Sequence, residues 1–116
     1  MNIGIVGSRK RTDKENITKY VEQLPAGVVV VSGGCRGVDS WAVEAARQRG
    51  LQTVEFLPDT AHCQQRFEYT QAFYARNAQI AAACDKLVAF VDPSRKGGTE
   101  NTINHAKKLG KEIVIL

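Results

Sequence analysis

Long apolar runs are missing from this sequence. No stretch approaches the roughly 20 consecutive apolar residues that a bilayer-spanning helix needs, so no membrane partner is expected. The first residues, Met1-Asn2-Ile3-Gly4-Ile5-Val6-Gly7, carry neither a basic leader nor an extended hydrophobic segment. A secretory signal is therefore not expected, and a cytoplasmic location is. Cysteine is scarce, with Cys35, Cys63 and Cys84 the only three. Their odd number, wide spacing and lack of any Cys-x-x-Cys pair exclude a disulfide framework and argue against zinc, so free thiols and no metal are expected. Aromatic residues make up 7% of the chain, a thin stock for stacking successive bases of a nucleic-acid strand. Internal repeats and low-complexity segments are absent as well. What remains is 43% hydrophobic and 24% charged over 116 residues. That composition builds a core rather than a disordered chain, and the length suits one domain over 1–116. The net charge of +4 admits phosphorylated ligands or nucleic acid without choosing between them.

Short β-rich runs alternate with helical periodicity along the whole chain. Strands are expected at 2–7, 27–32, 52–57, 86–91 and 112–116. Helices are expected at 13–24, 38–49, 67–83 and 99–109. Asp13 and Thr99 are the expected caps of the first and last helices, and Gly50 and Gly110 the expected stops of the second and last. The valine run Val28 to Val31 fits a strand buried on both faces, as a parallel sheet requires. On the long helix the stripe is read as Phe67, Thr70, Phe73, Tyr74, Asn77 and Ile80. The βαβαβαβαβ order predicts an α/β, Rossmann-like three-layer sandwich with a five-stranded parallel sheet in the order 3-2-1-4-5. Ligands of such sheets sit beyond the strand C-termini where the order reverses.

The strand-to-helix loops at that edge are distinctive. They read Gly7-Ser8-Arg9-Lys10-Arg11, Ser32-Gly33-Gly34-Cys35-Arg36-Gly37-Val38-Asp39 and Asp92-Pro93-Ser94-Arg95-Lys96-Gly97-Gly98-Thr99-Glu100. Arg9, Lys10, Arg11, Arg36, Arg95 and Lys96 are six of the 16 lysines and arginines, all in these three loops. Glycines let backbone N–H groups approach a ligand, helix N-termini add partial positive charge, and arginine offers a fork to phosphate. The candidate ligand-binding residues are accordingly Gly7, Ser8, Arg9, Ser32, Gly33, Gly34, Arg36, Gly37, Asp39, Gly97, Gly98 and Thr99. Arg76 and Asn77 join them from the long helix. Any one of these loops by itself reads as a tight turn or a solvated charge run; their convergence on one edge favours a phosphate-bearing ligand.

The run Val30-Val-Ser-Gly-Gly-Cys-Arg-Gly-Val-Asp39 resembles the signature of the SLOG superfamily. Gly7-Ser8-Arg9, the segment from Phe73 to Ile80 and Gly97-Gly98-Thr99 agree with it, so the resemblance covers nearly the whole chain. That superfamily includes the DNA-processing protein A family, the lonely-guy phosphoribohydrolases and many small stand-alone nucleotide binders. The resemblance implies a Rossmann-like fold, a nucleotide-derived ligand and frequent dimers, so a homodimer is expected; no cofactor is expected. In the hydrolase branch a helix arginine and a glutamate after a Gly-Gly-x-Gly-Thr loop are catalytic. Arg76 stands at the first position. Glu100 directly follows a shorter Gly-Gly-Thr loop, which departs from that pattern. A weaker similarity, through Cys84 to Phe90 and Gly-Gly-Thr, is to nucleoside deoxyribosyltransferases.

The reading that follows is a module that binds or senses a nucleotide-derived phosphorylated ligand. One alternative is N-glycosidic hydrolysis of a nucleoside monophosphate, with Glu100 and Arg76 as the catalytic pair. The other is single-stranded DNA binding on the basic loops.

Overall fold

A computed structural model describes all 116 residues. Nine elements follow in the order β1 (Asn2–Gly7), α1 (Lys14–Glu22), β2 (Val29–Ser32), α2 (Val38–Gln48), β3 (Gln52–Glu55), α3 (Arg66–Ala83), β4 (Lys86–Phe90), α4 (Gly98–Lys108) and β5 (Glu112–Ile115). All four strand pairings are parallel, and the sheet order is β3-β2-β1-β4-β5. The fold is thus the doubly wound α/β sandwich expected from the alternation, with its order reversing between β1 and β4.

Alternation along the strands divides the core in two. Ile3 and Ile5 of β1, Val30 of β2 and Val88 and Phe90 of β4 face α1 and α2, where Ile17, Val21, Val38, Ala42 and Ala46 meet them. Val6, Val31, Leu87 and Ala89 face the other way, onto Ile80, Ala81, Ile103 and Ala106 of α3 and α4. Each large aliphatic side chain so enclosed contributes ~1.5–3 kcal/mol. Small residues bring the layers close. A Cβ on Gly7 would lie 2.5 Å from Val38 Cγ2, so the start of α2 packs directly on the end of β1. No helix of the chain is long and apolar enough to cross a membrane.

Local details depart from the sequence reading in several places; β2 begins at Val29 rather than at 27, and α1 ends at Glu22 rather than at 24. α4 begins one residue early, with Gly97 at φ 99° as its cap. Thr99 therefore lies inside the first turn, because glycine takes the left-handed entry that threonine resists. Asp13 occupies the cap position of α1 without capping it by its side chain. Its carboxylate instead accepts two hydrogen bonds from Arg11, at 2.8 and 2.6 Å, and one from the Asn16 amide at 2.9 Å. β3 ends at Glu55, two residues before the expected boundary; the pairing continues only as far as the Phe56 N–H on the Ser32 carbonyl, 2.9 Å. The stripe assigned to α3 is not uniformly buried. Phe67 and Tyr74 are 57% and 45% exposed, because the N-terminal half of this helix runs past the sheet edge.

Candidate functional site

That overhang of α3 encloses a cavity of about 440 Å³ at the C-terminal edge of the sheet. One wall is the β1 loop, with Ser8, Arg9 and Lys10. Facing it are Thr70, Phe73, Tyr74, Arg76, Asn77 and Ile80 of α3. The β4–α4 segment adds Asp92 and Lys96 to Thr99, and Cys35 and Asp39 close the side toward β2. The cavity therefore opens where the strand order reverses, the place such sheets use for ligands.

The β2 loop is organised by buried polar groups. The Ser32 hydroxyl donates to the Ile5 carbonyl at 2.7 Å, behind the cavity wall. The Gly33 N–H donates to the Asp39 carboxylate at 3.1 Å, and the Arg76 guanidinium donates to the Gly33 carbonyl. A Cβ on Gly33 would come within 2.8 Å of Arg76 Nη1 and 3.0 Å of Asp39 Oδ2; glycine is what lets both side chains reach this turn. Asp39 is 5% exposed. Burial pushes its carboxyl up to about 6, against the opposing pull of the Gly33 N–H and the Arg76 charge.

Arg76 and Asn77 are 6% and 5% exposed, although they sit within a helix. Beyond the Gly33 contact, Arg76 Nε donates to Asn77 Oδ1 at 3.0 Å and Nη2 to Cys35 Sγ at 3.3 Å. The guanidinium also lies 5.8 Å from the centroid of the Phe73 ring. Asn77 turns its amide the other way, donating to the Gly98 carbonyl at 3.3 Å and to Asn101 Oδ1 at 3.2 Å. Two consecutive residues of α3 thus pin both glycine loops.

The loop cations separate into three groups. Arg9, Lys10 and Lys96 line the cavity. Arg36 is exposed and lies off the cavity wall. Arg11 and Arg95 are already engaged. Arg11 holds Asp13, donates to the carbonyls of Val91 and Leu116 at 2.8 and 3.0 Å, and lies over the Phe90 ring; the paired carboxyl of Asp13 stays well below the usual range. Arg95, the only non-glycine residue at positive φ (51°), forms a two-pronged pair with Glu100 at 2.8 and 2.9 Å. Glu100 does not line the cavity.

Of the residues singled out from sequence, the cavity brings together Gly7, Ser8, Arg9, Asp39, Arg76, Asn77, Gly97, Gly98 and Thr99. It leaves Ser32, Gly33, Gly34, Arg36, Gly37 and Glu100 off its wall. Gly34, at φ 70°, faces outward, where an added Cβ would meet Leu57 at 2.6 Å. Sequence reading missed Asp92, Cys35, Thr70, Phe73 and Thr102 as cavity residues. Asp92 had a signal, an acid immediately after the fourth strand. Thr70 and Phe73 had one too, at helical spacing from Asn77. No three His, Cys, Asp or Glu side chains gather into a metal-ligating cluster.

A family model described as the SLOG cluster4 family matches residues 1–116. The chain belongs to that family. Among solved structures, DNA processing protein A from Streptococcus pneumoniae superposes with a TM-score of 0.81, at 21% sequence identity, over 98% of this chain and 49% of that one. This SLOG chain therefore spans about half the length of that protein, and at such identity the likeness is one of fold. Comparison with curated proteins returned no match.

Proposed function

We propose that the cavity binds a nucleotide-derived phosphorylated ligand and that the protein acts as a binding or sensing module. Membership of the SLOG cluster4 family and the shared fold support a module concerned with nucleotides or nucleic acid. The observation that carries the finer reading is the composition of one cavity. Three unpaired cations, Arg9, Lys10 and Lys96, and the glycine-rich start of α4 meet there with the aromatic side chains of Phe73 and Tyr74. Cations and a helix N-terminus suit phosphate, and an aromatic wall suits a base.

The structural neighbour is a DNA processing protein, which brings single-stranded DNA into consideration. Convergence of three free loop cations, Arg9, Lys10 and Lys96, on a 440 Å³ cavity favours a small ligand over a strand tracked along an open groove. Hydrolysis of the N-glycosidic bond is disfavoured because Glu100, the candidate acid, is held by Arg95 away from the cavity. A homodimer belongs to this proposal as well, checked by sedimentation.

Thermal denaturation against nucleoside monophosphates, nucleoside diphosphates, ADP-ribose and dinucleotides tests the reading. A ligand at 100 times its Kd should stabilise the fold by ~2.7 kcal/mol. No stabilisation by any phosphorylated compound refutes it, and release of free base, followed by chromatography, moves the protein to the hydrolases.

A further inference from the structure

The rim of the cavity is cationic, yet its floor carries negative charge. Asp92 follows β4 and Ser8 follows β1, so the two sit side by side where the strand order reverses. Asp92 is only 6% exposed, and it lines the cavity. The Ser94 N–H donates to its Oδ1 at 2.8 Å, and the Ser94 hydroxyl donates to the same oxygen. A hydrogen bond from the Ser8 hydroxyl first, and then these contacts from Ser94, hold the carboxyl down at about 2. The group is therefore an anion at every ordinary pH.

A fixed anion at the floor is the wrong neighbour for a phosphate. It suits a part of the ligand that is neutral and rich in O–H donors. Lys10 lies near enough to Asp92 to favour its charge, and the cations left for phosphate are Arg9 from the β1 loop and Lys96 from the segment before α4. Both Ser94 donors fall on Oδ1, so Oδ2 takes no donor from that turn. A ribose presents two adjacent hydroxyls, each able to donate to a carboxylate; a 2-deoxyribose presents one fewer.

Resting on the reading of the cavity as a nucleotide site, we propose that Asp92, supported by Ser8, receives the sugar hydroxyls and makes the site selective for ribonucleotides over 2′-deoxyribonucleotides. Asp92 is then a specificity-determining residue. Discrimination arises because the deoxy ligand covers the carboxylate while offering it one donor fewer. A charge-assisted hydrogen bond lost in this way corresponds to a ~10- to 100-fold difference in Kd.

The test is calorimetric titration of the wild-type chain with AMP, GMP, CMP and UMP and with the 2′-deoxy counterpart of each. Ribose 5-phosphate and 2-deoxyribose 5-phosphate serve as base-free probes. The ribo form is expected to bind at least 10-fold tighter. Asp92→Asn keeps an acceptor for the Ser94 turn but removes the charge, and it should bring the ribo-to-deoxy ratio close to one. Equal Kd values for ribo and deoxy probes in the wild type overturn the selectivity while leaving the phosphate site standing. An unchanged ratio in a folded Asp92→Asn chain removes Asp92 from the role. Should no phosphorylated probe bind, both this proposal and the nucleotide site fall together. The wild-type comparison needs no variant, so a poorly folding substitution does not shelter the idea.

Discussion

The buried carboxyl of Asp39 makes a sharp prediction about stability and pH. In the unfolded chain it titrates near 3.8, and in the native state burial raises it to about 6. Well below pH 3.8 it is protonated in both states and costs nothing. Between pH 4 and 6 the native state retains a proton that the unfolded chain has lost, so each upward step in pH favours unfolding. Above about pH 6 the native protein carries the full penalty of a buried anion. A difference of about two pH units, at ~1.4 kcal/mol for each, makes about 3 kcal/mol. Asp13 and Asp92 act in the opposite sense. Their carboxyls are held down by hydrogen-bond donors, and the stability they contribute is lost as pH falls below the ordinary carboxylate range.

The comparison that isolates Asp39 is therefore wild type against Asp39→Asn across pH, not wild type alone. Asparagine keeps an oxygen for the Gly33 N–H at 3.1 Å and removes the titration. Urea denaturation at pH 4 and pH 7 should show the variant gaining ~2–3 kcal/mol on the wild type between those values, whatever its offset at pH 4. A constant difference between the two proteins across that range refutes the assignment of a raised carboxyl.

Arg76→Met retains bulk but orphans the Gly33 carbonyl and the Asn77 oxygen; it should destabilise by ~3–5 kcal/mol, read from urea melts, and a loss under 1 kcal/mol would show that the pin is dispensable. Gly7→Val drives a side chain into Val38 and should cost ~1–3 kcal/mol or prevent folding; a variant with unchanged Tm would contradict the close β1–α2 packing. Glu100→Gln breaks only an exposed pair with Arg95, so Tm should change little and AMP affinity should hold or rise; base release by the wild type that disappears in this variant would establish a catalytic role instead.

The fold was legible because its signals are local. Three of the four valines from Val28 to Val31 are buried, as suits a strand enclosed on both faces, and β2 lies between β1 and β3. Gly50 and Gly110 follow the last turns of α2 and α4 at φ 75° and 70°, where glycine ends a helix without strain. Boundaries erred where tertiary position overrode propensity. β3 is an edge strand whose partner ladder stops at Ser32, and α3 outruns the sheet, so neither its apolar residues nor its length reports burial.

The site was legible only in part, because its charges are decided at long range. Six cations in three loops look alike in sequence. Arg11 is withdrawn by a carbonyl 105 positions away and Arg95 by a glutamate five positions on, whereas Arg9, Lys10 and Lys96 remain free on the cavity wall. Arg76 and Asn77 differ in another way. Adjacent residues of a helix point to different sides, so a polar pair buried together has to satisfy two separate neighbours. Here one neighbour is the Gly33 turn, 43 positions distant, and the other is the Gly98 turn, 21 positions distant. The spacing between those two loops is thus set by a single turn of α3. A ligand that bridges them would bind to a gap whose width the protein has already fixed, and this is why an arginine and an asparagine that look like ligand contacts also serve as the frame of the site.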